Sequence, residues 1–445
     1  MYTYWIVNLI GIGVVLFLCW RINILTGDWF THAHFFSVVW GVNLFAEQFL
    51  GSGILFPDLS TVIVMILAWW SFLIGSFVVL KKVSLKTSET LEAGRKRSAD
   101  INRSAALVLI GALVLLQYAG IYSEIQAFRL PIGAYLYDLI SLNPTIRING
   151  VAFTAQLPWY LDITRTAFVW YLPLALLLHS RRRISITVLS LIVLLAVLST
   201  PGRFTRAPLI MVVITFFVSW GFCYQVKTKT KLAVLGSVAL AFCFYFVSLQ
   251  IAINMTAATR QPTTQDTLFS YVGGSVKAYE QILQNHFPDT PTGFYSFDSI
   301  NYLLFKLSII KRYPEIVRPY ITIPITTNLY TYLDAFTLDF GIAGAIIGSF
   351  LLGAFVSWFY GQASRGLNAM NLSVYSYLVY CCVMTPANNE FIRFALPLYL
   401  IVAILFNGVV ANIFGGQVKR RLDSGEPQLD PGNSFGPIRP AILKR

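Results

Sequence analysis

The chain has 445 residues, of which 56% are hydrophobic and only 12% charged, and its mean hydropathy is +0.66. Too few polar side chains exist to cover a globule of that size, which excludes a soluble protein and places the chain in lipid. The formal charge of +13 does not point to nucleic acid, because the basic loops are short, scattered and explained by orientation in a membrane.

Apolar runs long enough to cross about 30 Å of hydrocarbon predict spans near 2–20, 33–50, 61–80, 104–124, 159–179, 184–200, 206–223, 232–254, 338–360, 371–386 and 392–414. Helices satisfy their own backbone hydrogen bonds in lipid, and nothing here alternates with the period of a barrel strand. The expected architecture is therefore an all-α polytopic integral membrane protein of 11 transmembrane helices. Residues 1–254 carry the first eight spans, 255–337 form one large outer loop, 338–416 carry the last three spans, and 417–445 are a basic tail.

Alternating the spans puts Lys81, Lys82, Arg95, Lys96, Arg97, Arg181, Arg182, Arg183, Lys227, Lys229, Lys231, Lys419, Arg420 and Arg421 on one side. By the positive-inside rule that side is cytoplasmic, so the N-terminus is expected outside and the C-terminus inside. The first run has no basic region before it and Arg21 after it, which reads as a retained span rather than a cleaved signal. Cys19, Cys223, Cys243, Cys381 and Cys382 lie in spans or at their inner ends, a pattern with no disulfide or zinc framework.

Segment 81–103 reads as a charged connector. On the other side, Pro201-Gly202-Arg203-Phe204-Thr205-Arg206-Ala207-Pro208 forms a turn into the seventh span. That span starts outside, so its free N–H groups and positive dipole end face outward, an arrangement that suits an anion. Pro208 fits the first helical turn. Neither Arg203 nor Arg206 has an acid within four residues, which suits two-oxygen binding of a phosphate; snorkelling to lipid phosphates is the plainer alternative. Arg165 and Arg393 sit inside span ends, where charge usually has a task, although Asp162 and Glu390 stand three residues before them and can pair with them.

In the large loop, Thr263-Thr264-Gln265-Asp266 can cap a helix in which Leu268, Val272, Val276, Tyr279 and Leu283 share one face and Lys277, Glu280 and Gln284 lie on others. Residues 297–313 read as a second helix lying on the interface. Arg260 and Arg318 are further anion contacts, and Glu280, His286, Asp289, Asp298, Glu315, Asp334 and Asp339 are candidate bases. Asp334 lies in a polar run just outside the membrane and is preferred, with Glu315 and His286 next; Asp339 suits a helix cap at the start of the ninth span. The many loop aromatics fit a headgroup belt or stacking on sugar rings. His32, His34 and His179 read as boundary residues.

The run Thr326-Thr327-Asn328-Leu329-Tyr330-Thr331, followed by Asp339-Phe340-Gly341-Ile342-Ala343-Gly344 and preceded far upstream by Gly202-Arg203, resembles the Wzy-type O-antigen or oligosaccharide repeat-unit polymerases. The resemblance implies a GT-C-like bundle with one large, partly helical outer loop in the bacterial inner membrane. It also implies polymerisation of undecaprenyl-pyrophosphate-linked oligosaccharides at the periplasmic face, without cofactor or metal. In that reading Arg203, Arg206, Arg393, Arg165, Arg318 and Arg260 bind the pyrophosphate, Asp334, Glu315 or His286 acts as base, and Tyr330, Asn328 and Tyr302 contact the glycan. The implied partners are the lipid-linked oligosaccharide, membrane lipid and a chain-length-regulating co-polymerase, with no nucleic acid. An O-antigen ligase, another lipid-linked-sugar glycosyltransferase and a flippase or transporter are the competing expectations. A transporter would show charged residues near the midplanes of several spans, and here the midplanes are nearly free of charge.

Overall fold

The computed structural model describes residues 2–50, 57–96, 103–127, 164, 166–200, 207–224, 226–237, 274–284, 295–297, 300–301, 304–305, 308–310, 321–323, 325–327, 330–365, 368–386, 390–391 and 400–401. The protein is a helical membrane protein. Helices α1 (Tyr2–Thr26), α2 (His32–Leu50), α3 (Leu59–Lys96), α4 (Arg103–Ala127), α5 (Phe168–Ser180), α6 (Ile186–Leu198) and α7 (Ala207–Tyr224) come first. They are followed by α8 (Gly274–Leu283), a ribbon of β1 (Ile321–Ile323) and β2 (Ile325–Thr327), then α9 (Leu333–Arg365) and α10 (Ala369–Met384). Among the described residues, α1, α3, α4, α7 and α9 are long and apolar enough to cross a membrane, and α5, α6 and α10 are shorter apolar helices.

Local chemistry sets several helix ends. Gly27, at φ +66°, lets α1 stop and donates its N–H to the Asn23 carbonyl. Ser185 accepts from the Val188 N–H to start α6, and Asn368 does the same for Met370 N–H at α10. The charged connector is in part helix, because α3 continues to Lys96. Of the expected span 159–179, α5 covers Phe168–Ser180 and residues 159–163 and 165 lie outside the described ones, and α6 covers Ile186–Leu198 of the expected 184–200.

Which helices are central follows from their faces. Every residue of α5 from Phe168 to Leu178 is buried, and α10 is buried from Leu372 to Cys382. A helix apolar and covered all round belongs in the middle of a bundle. By contrast, α1 and α6 turn Leu9, Leu16, Phe17, Leu191 and Leu194 outward, as lipid-facing helices do.

The tightest contact joins α3 to α9. Ser71 Oγ donates to the Ile346 carbonyl (2.8 Å) and Ser76 Oγ to the Gly353 carbonyl (3.2 Å), while Gly361 lies against Val83. Both sequences advance together, so the two helices are parallel. Gly75 faces the Phe350 carbonyl and Gly353 the Phe72 carbonyl with no room for a methyl group, the close backbone approach that small residues permit between membrane helices.

Other pairs fix the remaining directions. His32 meets Tyr375, and Trp40 Nε1 donates to Thr385 Oγ1 (2.9 Å), so α2 and α10 are parallel. The last turns of α5 and α7 meet through His179 and Tyr224. Alternate crossing demands these relations of the third and ninth, second and tenth, and fifth and seventh expected spans. They define two faces of the bundle. One carries the ends of α1, α5, α7 and α9 and can be called the basic face; the other carries α8 and the ribbon and can be called the loop face.

The loop face differs from expectation in its centre. Helix α9 is broken at Gly341, whose φ +66°, ψ −164° is outside any helix. Residues Leu333–Phe340 form a short arm that folds back along the start of the long segment. Phe336 packs on Gly344 and Gly348, and Tyr332 lies 2.6 Å from Ser349. The tip of this arm is buried: Tyr332 makes edge contacts with Phe36 and Trp40 of α2 at centroid distances of 5.8 and 5.5 Å. The chain thus dips into the bundle at 330–332, returns along the arm, and reverses at Gly341.

Candidate functional site

The re-entrant arm gathers the polar groups of the loop face. Tyr330, Thr331, Tyr332 and Asp334 are all buried. Thr331 Oγ1 accepts from the Leu333 N–H (3.3 Å) and helps start the arm. The Tyr332 N–H donates to the Thr385 carbonyl at the end of α10 (2.8 Å), and Thr385 Oγ1 accepts from Trp40. Three elements are therefore pinned together by one threonine.

Asp334 is 5% exposed, where its polar sequence context had suggested an accessible position just outside the membrane. Its Oδ1 accepts from the Ala335 N–H (2.6 Å). Beside it, Tyr279 of α8 shares a 2.8 Å hydrogen bond with Thr337 of the arm. Burial pushes the Tyr279 phenol above its ordinary range; the Thr337 bond acts against that, and the neighbouring Asp334 carboxylate adds to it.

Helix α8 holds this assembly to the rest of the loop face. Val276 and Tyr279 are buried as their spacing predicts. Glu280, expected on another face, is buried too: both its oxygens accept from Lys277 Nζ (2.9 and 2.7 Å), and Oε1 also accepts from Gln284 Nε2 (3.2 Å). The Gln284 amide reaches Asp58 as well, which ties α8 to the segment before α3. At the start of α8, Asn43 Nδ2 of α2 points at Ser275 Oγ (3.4 Å).

Asp339 does not cap the start of the long helix. It lies within the arm, and its two oxygens accept from the backbone N–H groups of Tyr295 (2.9 Å) and Ser296 (2.6 Å), clamping the 3-10 turn Tyr295–Phe297. Of the expected interfacial helix at 297–313, residues 300–301 and 304–305 are helical. It ends at Ser308, which takes φ +58° while Ile309 N–H donates to the Leu304 carbonyl. Phe297, Ile300 and Ile309 are exposed beside it.

Among the residues singled out from sequence, Asp334 and Tyr330 are thus brought together on the re-entrant segment. Arg203, Arg206, Arg165, Arg393, Arg318, Arg260, Glu315, His286, Asn328 and Tyr302 lie outside the described residues. The seventh span does begin where the Pro201–Pro208 turn should feed it, with Ala207 as first residue and Pro208 in the first turn. Glu390 is buried. Among the described residues, no group of three His, Cys, Asp or Glu side chains is placed to hold a metal ion.

The basic face holds a second polar cluster that sequence spacing did not reveal. His32 and His34 are buried. His32 Nε2 contacts Ser357 Oγ (2.8 Å) and Nδ1 contacts Tyr375 Oη (3.3 Å), while His34 bonds Thr31 Oγ1 (2.8 Å) and the Cys19 carbonyl (3.1 Å). Nearby, Lys231 Nζ donates to both oxygens of Asp28 (3.0 and 2.9 Å) and sits 5.5 Å from the Phe30 ring centroid. Partners that lie 343, 325 and 203 residues away in sequence leave no local signal.

No protein-family model, curated protein or solved structure matches this chain.

Proposed function

We propose that the protein is a glycosyltransferase that polymerises undecaprenyl-pyrophosphate-linked oligosaccharide repeat units into O-antigen or a related surface polysaccharide at the periplasmic face of the bacterial inner membrane. The observation that carries this reading is the coincidence of two things. The Tyr330–Gly341 stretch, which joins the two C-terminal motifs of the resemblance to repeat-unit polymerases, is also the segment that enters the bundle and holds a buried carboxylate at the loop face. The concentration of basic residues on the opposite side supports a cytoplasmic basic face and a periplasmic loop face.

In this reading the donor pyrophosphate is held by Arg203, Arg206, Arg393 and Arg165, with Arg318 and Arg260 contributing from the large loop. Guanidinium groups at the N-terminus of α7 stabilise negative charge as the bond from the anomeric carbon to the pyrophosphate oxygen breaks. The acceptor hydroxyl forms the new glycosidic bond at that carbon and gives its proton to Asp334, or to Glu315 or His286, and undecaprenyl pyrophosphate leaves. Tyr330, Asn328 and Tyr302 supply stacking and hydrogen bonds for the glycan. The first helix is a span with its N-terminus outside, and a chain-length-regulating co-polymerase is the protein partner.

The test is surface polysaccharide from a deletion strain resolved on a gel, with complementation by wild type, Arg203→Ala and Arg203→Lys. Core carrying a single repeat unit, with ladders restored by wild type alone, supports a polymerase using that arginine. Bare core indicates a ligase or flippase, and unchanged ladders remove the lipopolysaccharide assignment. Full activity of Arg203→Lys defeats the two-oxygen role of the guanidinium.

A further inference from the structure

Helix α5 ends on the basic face in a turn closed by two hydrogen bonds. The Arg182 N–H donates to the His179 carbonyl (2.8 Å) and the Arg183 N–H to the Leu178 carbonyl (2.9 Å). This pairing needs a left-handed backbone at Arg182, whose φ is +56°. Glycine is the usual residue there, because any side chain crowds the following carbonyl. The chain keeps an exposed arginine where glycine would close the turn with less strain. Orientation in the membrane does not require it, since Arg181 and Arg183 already supply positive charge to the same turn. A strained backbone position held by a charged side chain points to a task for that side chain.

The turn is tied to a second group of cations. His179 bonds the Tyr224 hydroxyl at the end of α7, and Lys227 and Lys229, both exposed, follow directly in the chain. The Lys227 carbonyl accepts from the Lys231 N–H (3.0 Å). Lys231 is fixed in turn, with Nζ on both Asp28 oxygens and Cε 3.4 Å from where a Cβ on Gly221 would stand. The acid that reaches this corner, Asp28, is therefore already engaged. Residues 163–265 contain no Asp or Glu, and among the described residues Arg182, Lys227 and Lys229 enter no ion pair.

Exposed apolar side chains border these cations. Ile186, three residues after Arg183, is 62% exposed and opens the outward face of α6 that continues through Leu191 and Leu194. Leu232, next to Lys231, is 57% exposed, and Trp29, next to Asp28, is 45% exposed; indoles favour headgroup depth. Cations that run straight into an apolar face match a ligand with a phosphate at one end and acyl chains at the other. A soluble anion would use the first feature alone. We propose that this corner of the basic face is a binding site for an anionic phospholipid, whose phosphate is held by Arg182, Lys227 and Lys229 and whose acyl chains lie along α6. The site is separate from the sugar chemistry assigned to the loop face.

The full-length protein, purified in detergent and freed of lipid, is titrated with phosphatidylglycerol or phosphatidylethanolamine, and bound lipid is measured by native mass spectrometry. Melting temperatures are recorded without lipid. Wild type should retain phosphatidylglycerol in preference to phosphatidylethanolamine; equal retention would overturn the inference. Arg182→Gly should bind phosphatidylglycerol about fivefold more weakly, the value of one interfacial cation, while melting at or above the wild-type temperature because the turn is relieved. If it melts lower, Arg182→Gln, which removes the charge at the same backbone strain, decides by the same fivefold loss. Lys227→Gln with Lys229→Gln should weaken binding about tenfold or more. Lys81→Gln with Lys82→Gln, which removes two exposed cations of α3 on the same face, should leave it unchanged. Equal losses from the two pairs would reduce the site to the general field of the basic face, and unchanged binding by the Arg182 variants would remove its central residue; either result overturns the inference. So does a rise in melting temperature with inorganic phosphate as large as that with phosphatidylglycerol, which would assign the corner to a soluble anion.

Discussion

The Tyr332 hydroxyl lies 2.6 Å from Ser349 Oγ, 17 residues further along the chain and on the far side of the break at Gly341. Ser349 donates its own proton to the Ala345 carbonyl (2.6 Å), so its oxygen accepts and Tyr332 is the donor. This one bond closes the hairpin between the arm and the long helix. Tyr332→Phe should lower stability by about 1 kcal/mol, the net value of a neutral buried hydrogen bond, with the fold kept. Gly341→Ala should cost more, about 1–3 kcal/mol, because its backbone conformation is nearly restricted to glycine. Thermal unfolding of the detergent-solubilised protein checks both, and a Gly341→Ala variant as stable as wild type would contradict the break.

The parallel contact of α3 and α9 depends on Gly75 and Gly353. A methyl group at Gly353 would overlap the Phe72 carbonyl, and one at Gly75 the Phe350 carbonyl; both obstacles are backbone, which cannot swing away. Gly75→Ala and Gly353→Ala are each expected to reduce folded protein by several kcal/mol of packing, on the order of 2–4. Gly13 and Gly111 have nothing within 4 Å of the same added atom, so their alanine variants serve as neutral controls. Yield of monodisperse protein by fluorescence size-exclusion chromatography distinguishes the two groups.

The expected spans that coincide with α1, α3, α4, α7 and α9 were legible because hydrocarbon imposes a length and a composition that a run of apolar residues either meets or does not. Simple alternation of the spans gave the relative directions of the helices, and the parallel pairs Ser71–Ile346 and Trp40–Thr385 agree with it. The re-entrant arm was not legible, since the boundary expected between the large loop and the ninth span, at 337/338, cuts through it and leaves Leu333 and Phe336 in the loop and Phe340 in the span. The available hint was glycine spacing: Gly341 at the break, then Gly344 and Gly348 where Phe336 needs room. The Asp28–Lys231 and His32–Tyr375 contacts join residues 203 and 343 positions apart, which no single-sequence pattern encodes. Asp334 could be picked out as a carboxylate near the loop face, but its burial follows from the arm and was invisible without it.

Lys231 and Asp28 form a two-oxygen ion pair with side-chain exposures of 9% and 22%. Asp28 is also held by the Phe30 N–H (2.9 Å), so the carboxylate is fixed before the lysine arrives. Removing one partner leaves a charge that is mostly withdrawn from water, a loss of about 2–3 kcal/mol for Lys231→Met or Asp28→Asn. Removing both should cost less than the sum of the two. A double-mutant cycle on melting temperature measures the coupling, and additive losses would mean that the pair contributes nothing.

Two buried carboxylates of the loop face should separate on mutation. Glu280 is engaged through both oxygens with Lys277, so Glu280→Gln leaves that ammonium poorly compensated and should lower stability by about 2 kcal/mol. Activity per folded molecule should survive, because the group is occupied structurally. Asp334→Asn keeps an oxygen able to accept from the Ala335 N–H, so the arm should remain folded. It loses the basicity that proton transfer needs, and general-base loss typically slows a reaction by about 100-fold or more. The expected pair of results is a normal melting temperature with vanishing polysaccharide ladders for Asp334→Asn, and a lowered melting temperature with ladders retained at permissive temperature for Glu280→Gln. The reverse pattern would transfer the role of base to Glu280 and make Asp334 a structural group of the arm.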